Sequence, residues 1–304
     1  MTNNNFYGVM VALVTPLLAD GNIDHPALAR LSHRTCSAGV KALCPVGSTG
    51  EGPHLTEARR IEIVKRVVAE APSSVPLIPA VTCTVLEDAR RRLGAYARAG
   101  ATAALVAPPF YYPLGKQAVE DFFVALADDS PLPILLYHIP QFTKSPLTLE
   151  SVIALARHPR IAGIKDSSRD FEFFQGVAGA GLAGFAVLTG TDTMLMSSLL
   201  AGGHGTIAAS ANLAPEWGVA LWEAVRAGEL TKARDLQMRI LRLVTACRKG
   251  SFPAGWKAAL EIAGICSGAT AAPTPPLSPE GVRELRAELV QLGIVSAAAS
   301  PAAH

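Results

Sequence analysis

Residues 161–208 read IAGIKDSSRDFEFFQGVAGAGLAGFAVLTGTDTMLMSSLLAGGHGTIA. Three short apolar runs, 161–165, 186–188 and 206–208, alternate here with two segments of helical period, 171–178 and 193–201. Near-continuous apolar runs are what parallel strands require, because helical crossovers cover both faces of their sheet. The same alternation extends outward. Toward the N-terminus, strands are expected at 8–15, 42–46, 77–81, 103–107 and 134–137, and helices at 26–38, 56–70, 86–98, 117–127 and 149–156. A helix over 215–227 completes the last unit. Eight strand–helix units in series, roughly 25–35 residues apart, suit a closed (β/α)8 TIM barrel better than an open doubly wound sheet, which stays as the alternative. Beyond Ala227 the strand pattern stops. Residues 230–248, 255–265 and 279–292 read as helices, the last with Ser278 as N-cap and Pro279 at its first position. The expectation is an α/β protein: a (β/α)8 barrel over 1–228, a C-terminal helical appendage over 229–294, and a frayed Ala-rich tail over 295–304.

Bulk properties narrow the function classes. Of 304 residues, 50% are hydrophobic and 17% charged, enough apolar material for a large core. The net charge of +2, with no block of Lys or Arg, points to neither nucleic acid nor a membrane surface as partner. The first residues lack a basic n-region and an apolar h-region, and no apolar run is long enough to cross a bilayer. The five cysteines are scattered and have no C-x-x-C spacing, which fits thiols in a reducing compartment. A cytoplasmic location is expected.

A TIM barrel carries its site at the C-terminal ends of its strands. The apolar run 161–164 leads directly into Lys165. Such a lysine either snorkels to the surface or sits in a dry barrel mouth, where burial disfavours the ammonium and a free amine can attack a carbonyl. The run 134–137 ends on Tyr137, either a core tyrosine or a phenol able to relay protons beside Lys165. After 42–46 comes Gly47-Ser48-Thr49-Gly50-Glu51, whose glycines permit a tight turn and whose hydroxyls and N–H groups suit a carboxylate. Such turns are also common for backbone reasons alone, and this one lacks the Lys-Ser/Thr of a P-loop. Residues 108–113, PPFYYP, read either as rigid loop packing or as a source of an aromatic site residue.

Taken together, these strand ends resemble the dihydrodipicolinate synthase / N-acetylneuraminate lyase family of class I aldolases. The likeness runs from Gly8-x-x-x-Ala12-Leu13-Val14-Thr15-Pro16 to the C-terminal helices, through Gly47-Ser-Thr-Gly-Glu51, Tyr137-x-Ile-Pro140 and Gly163-Ile-Lys-Asp166. It implies that Lys165 forms a Schiff base with a 2-oxo acid such as pyruvate and that Tyr137 shuttles protons. It further implies that Ser48 and Thr49, on the Gly47 turn, hold the carboxylate, and that Gly190 and Ile207 line the pocket through backbone. Ser167 matches a position that touches the polyol part of longer substrates, and Tyr111 one that reaches into a neighbouring subunit's site. A homo-oligomer, dimer or tetramer, is therefore expected, with a small-molecule substrate and neither cofactor nor metal.

Two departures bear on the substrate. Dihydrodipicolinate synthase has an arginine two residues after its Tyr-x-x-Pro segment, where this chain has Phe142. A phenyl ring cannot replace a bidentate cation. Sialic acid lyases carry an Asp-Glu pair after the seventh strand, where this chain has Asp192-Thr193. The expected reaction is reversible cleavage of a 2-oxo-3-deoxy sugar acid to pyruvate and an aldehyde, with dehydration or a dihydrodipicolinate synthase-type condensation as alternatives. From other classes, a metal aldolase would need converging ligands, yet the seven histidines show no H-x-H or H-E-x-x-H spacing, and His138 should point away from the barrel axis. A non-catalytic oxo-acid sensor would not need a nucleophile such as Lys165.

Overall fold

The computed structural model describes residues 6–297. Its eight parallel strands are β1 (Gly8–Ala12), β2 (Ala42–Cys44), β3 (Ala80–Val81), β4 (Ala104–Val106), β5 (Ile134–His138), β6 (Ile161–Asp166), β7 (Ala186–Thr189) and β8 (Gly205–Ala208). The helices around them are α1 (His25–Ser37), α2 (Glu57–Glu70), α3 (Leu86–Arg98), α4 (Lys116–Asp128), the single turn α5 (Pro140–Thr143), α6 (Leu149–Leu155), α7 (Phe171–Gly179), α8 (Leu195–Leu200) and α9 (Pro215–Arg226). Then follow α10 (Leu230–Cys247), α11 (Ala254–Ile262) and α12 (Pro279–Gln291). Strand β1 lies between β2 and β8, and the order continues through β7 to β3. A parallel bridge between Leu43 and Leu77, with Leu43 N–H donating to Pro76 O and Ile78 N–H to Leu43 O, joins the two ends. The fold is a (β/α)8 barrel with C-terminal helices.

Strands come out shorter than the apolar runs for identifiable reasons. In the run 77–81, Pro79 has no N–H to give to the ladder, so only Ala80 and Val81 pair regularly. In 8–15, the Val14 N–H turns to the Asn212 side chain at 2.9 Å instead of to a neighbouring strand. The expected helix 193–201 divides into a 3-10 turn over Asp192–Met194 and α8. The tail expected from Val295 begins differently: Val295 is half-buried against the core, and residues 298–304 lie outside the described residues.

One apolar cluster fills the space between strands and helices; a second fills the barrel, plugged by Phe6 at its N-terminal end. Strand β6 carries an irregularity. Ile134 pairs with Ile161, but Leu135 pairs with Gly163, so β6 has one extra residue, Ala162. A Cβ on Gly163 would lie 2.5 Å from Ala186 O and 2.8 Å from a Leu135 methyl, so glycine is needed for this close approach. The step brings Lys165 opposite Tyr137 on β5.

The C-terminal helices are tied to the barrel mouth by a buried ion pair. Lys257 Nζ on α11 lies 2.6 Å from Glu51 Oε2 and donates to Thr15 O at 3.0 Å, while Ala271 N–H donates to Glu51 Oε1 at 2.7 Å. Both side chains are essentially inaccessible to water. Burial pulls Lys257 below the usual lysine range, and the Glu51 carboxylate opposes that shift. Removing one member of such a pair strands the other charge in a medium that cannot solvate it. Lys257→Ala should therefore cost roughly 3–5 kcal/mol in denaturant unfolding. A loss below about 1 kcal/mol would mean that the pair does not hold the mouth loop to α11.

Candidate active site

Side chains alternate along a strand, so the β5–β6 register decides what faces the barrel interior. Tyr137 and Lys165 are direct partners and both point inward, buried to 3% and 5% exposure. Lys165 Nζ lies 4.5 Å from the centroid of the Tyr137 ring. Their neighbours point the other way. His138 and Asp166, also paired in register, meet outside the barrel with His138 Nδ1 2.9 Å from Asp166 Oδ1. Asp166 Oδ1 also accepts from Ser168 N–H at 3.0 Å, and the His138 ring packs 4.5 Å from that of Phe173 on α7. This outer pair ties together the ends of the two strands that carry the inner pair.

From the turn after β2, Ser48 Oγ lies 3.4 Å from the Tyr137 hydroxyl, with Thr49 buried beside it. This turn is strained: Val46, a β-branched residue, has φ 54°, and Glu51 has φ 55°. The Glu51 pairing with Lys257 helps hold it there. From the end of β7, Gly190 comes so close that a Cβ would sit 2.6 Å from Lys165 Cε and 2.0 Å from Ser167 Oγ.

Ser48, Thr49, Tyr137, Lys165, Ser167, Gly190 and Ile207 all line one cavity of about 390 Å³. That is within the range of small-molecule sites, roughly 300–1,000 Å³. Gly47 is buried in the turn and does not line it. Tyr111 does not reach it either: it is 79% exposed, packed edge-on against Tyr112, with a left-handed φ of 85°. A second cavity of about 310 Å³, reaching Phe110, shares Ser48 and Tyr137 with the first.

Further residues line the cavity, among them Phe142 and Asp192, the two departures from the family pattern noted in the sequence. Gln141 donates to Ser167 O at 3.0 Å, and Asp192 accepts from Ser210 N–H at 2.7 Å. Phe142, on the short helix α5, lines the wall near Phe252, with ring centroids 6.3 Å apart. Val244, Cys247, Arg248 and Trp256 come from α10, its end and α11, so the helical region roofs the barrel mouth. Asp192 lies after the seventh strand, as the sequence places it, and lines the cavity wall there. The roof residues carried no comparable signal, being set by packing between segments far apart in sequence. Cys44, on the barrel side of β2, is no nucleophile: burial pushes its thiol up to about 12, with Lys165 pulling it partly back.

Comparisons agree with this geometry. The model of the dihydrodipicolinate synthetase family matches residues 5–292. An uncharacterized DapA-like lyase of Halobacterium salinarum is 34% identical over 95% of each chain. A 4-hydroxy-tetrahydrodipicolinate synthase of Acidiphilium cryptum is 33% identical over 96% of this chain and 100% of its own. Among solved structures, YagE, a prophage protein of the dihydrodipicolinic acid synthase family from E. coli K12 in complex with pyruvate, superposes with a TM-score of 0.91. It is 30% identical, covering 95% of this chain and 99% of its own. The chain belongs to the dihydrodipicolinate synthetase family and is a lyase of the class I aldolase type.

Proposed function

We propose that the protein forms an imine between Lys165 and a 2-oxo acid, and that it cleaves a 2-oxo-3-deoxy sugar acid reversibly to pyruvate and an aldehyde. The observation that carries this reading is the buried Lys165 amine, stacked on Tyr137 and making no ion pair among the described residues. No carboxylate among the described residues competes with a bound carbonyl for this Nζ. The pyruvate complex of YagE supports the choice of oxo acid.

In this reading Ser48, Thr49 and their backbone N–H groups hold the substrate carboxylate. Lys165 Nζ attacks C2, and loss of water gives a protonated imine. The Tyr137 oxygen takes the proton from the C4 hydroxyl, the C3–C4 bond breaks, and its electron pair enters the imine as an enamine. Protonation at C3 and hydrolysis release pyruvate and restore the amine. Dehydration would use the same intermediate and expel a hydroxyl instead.

Phe142 favours cleavage over condensation with a carboxylate-bearing aldehyde, because it lines the cavity where the synthase pattern calls for arginine. The synthase names of several relatives support condensation as the second reading. The exposed, backbone-strained Tyr111 supports a contribution to a neighbouring subunit's site, hence a dimer or tetramer. Five free cysteines support a reducing, cytoplasmic setting.

Tyr137→Phe should lower kcat by about 100-fold or more with the fold intact. Retention of the parent rate would reduce Tyr137 to packing. Gly190→Ala puts a methyl where Lys165 Cε and Ser167 Oγ now lie. Displaced by even an ångström, the amine should lose about tenfold or more in kcat. Steady-state kinetics alongside a thermal melt would separate this from unfolding, and a parent-like kcat would mean that Lys165 moves without penalty.

A further inference from the structure

The outward-facing pair at the ends of β5 and β6 stands one residue from the chemistry and has no access to it. The side chains of His138 and Asp166 are each 5% exposed and line neither cavity. A carboxylate only accepts, so His138 Nδ1 donates to Asp166 Oδ1 at 2.9 Å. The other ring nitrogen, Nε2, is buried beside the Phe173 ring and has no partner among the described residues. An imidazole with one nitrogen committed to a carboxylate and the other sealed from water has no route for passing protons to a substrate.

Asp166 is instead a junction of three strands. Its carboxylate reaches β5 through His138 and turns the following backbone by accepting from Ser168 N–H at 3.0 Å. Its carbonyl accepts from Gly190 N–H at 2.6 Å at the end of β7, while Ser167 N–H donates to His138 O at 2.8 Å. Every strand end tied in this way carries a neighbour that lines the cavity. Tyr137 precedes His138, Lys165 and Ser167 flank Asp166, and Gly190 lies against Lys165 Cε. Successive side chains share one backbone, so a strand end released on the outside shifts the side chain on the inside. A displacement of about 1 Å is enough to spoil reacting geometry. The turn bearing Ser48 and Thr49 has a separate anchor, the Glu51–Lys257 pair, and does not depend on this junction.

We propose that His138 and Asp166 are positioning residues of the imine-forming site. Their hydrogen bond sets the approach of Lys165 and Tyr137 to the reacting carbons and leaves the hold on the substrate carboxylate unaffected. The proposal rests on the reading of Lys165 as the nucleophile, and it gives neither residue contact with substrate.

Deuterium exchange into the pyruvate methyl group, followed by NMR in D2O, tests it without the aldehyde half of the substrate. Exchange requires the imine on Lys165, loss of a C3 proton to give the enamine, and return of a deuteron to C3. The maximal rate and the half-saturating pyruvate concentration are measured for parent and variants, each alongside a thermal melt. His138→Leu removes the donor, and its maximal rate should fall about tenfold or more. Its half-saturating concentration should stay within about twofold of the parent's. His138→Asn places an amide N–H near the position of Nδ1 and should recover most of the lost rate. A pair that serves stability alone would lower the melting temperature and leave the folded protein's exchange rate at the parent value. That result, or an Asn variant no faster than the Leu variant, would overturn the proposal. Should His138→Leu fail to fold, Asp166→Asn carries the test: loss of the charge should slow exchange about threefold or more, and a parent rate would overturn the proposal. No exchange by the parent sinks the imine reading and this proposal together, whereas exchange by the parent that the variants retain sinks this proposal alone.

Discussion

The pairing of β5 with β6 is the constraint on which the rest of the site depends. Parallel strands alternate their side chains inward and outward, so slipping β6 by a single residue would exchange Lys165 for Asp166, and slipping β5 would exchange Tyr137 for His138. The extra residue at Ala162, allowed by the bare backbone of Gly163, sets the parity. With it, a lysine and a tyrosine face each other across the interior, and a histidine and an aspartate face each other on the outside. In the proposed reaction the inner pair supplies the chemistry. The outer pair locks the strand ends together through a hydrogen bond shielded from water, where competition from solvent is weakest.

The C-terminal helices complete what the barrel begins. Through Lys257 they clamp Glu51 and with it the strained turn bearing Ser48 and Thr49. Through Val244, Arg248 and Trp256 they roof the mouth. A buried ion pair of this kind is a costly way to gain stability, since the desolvation of two charges offsets most of their attraction. Its value here is positional: it fixes a turn whose backbone would otherwise relax.

Much of this was legible in the sequence because barrel strands advertise themselves. Runs such as 134–137 and 161–165 are apolar on both faces and end abruptly on a polar residue, and in this fold strand ends are where chemistry sits. Lys165, Tyr137, Ser48 and Thr49 stand at such ends, Ser167, Gly190 and Ile207 follow from the family resemblance, and all seven line one cavity. Lys257 escaped because it stands in AGWKAALEI, an apolar helix in which one lysine reads as a snorkelling surface residue. Arg248 escaped because a cation near a helix C-terminus has a sufficient local explanation in the helix dipole. Tyr111 stands apart for a different reason: it lies on an exposed loop and lines neither cavity.

The central claim is that Lys165 is the nucleophile, and one measurement addresses it directly. The protein is incubated with pyruvate and borohydride, its intact mass is recorded, and the modified peptide is mapped. One reduced pyruvyl adduct per chain, on Lys165 and absent from a Lys165→Ala variant, is the predicted result. An unmodified mass in excess pyruvate, or an adduct on another lysine, would contradict the account.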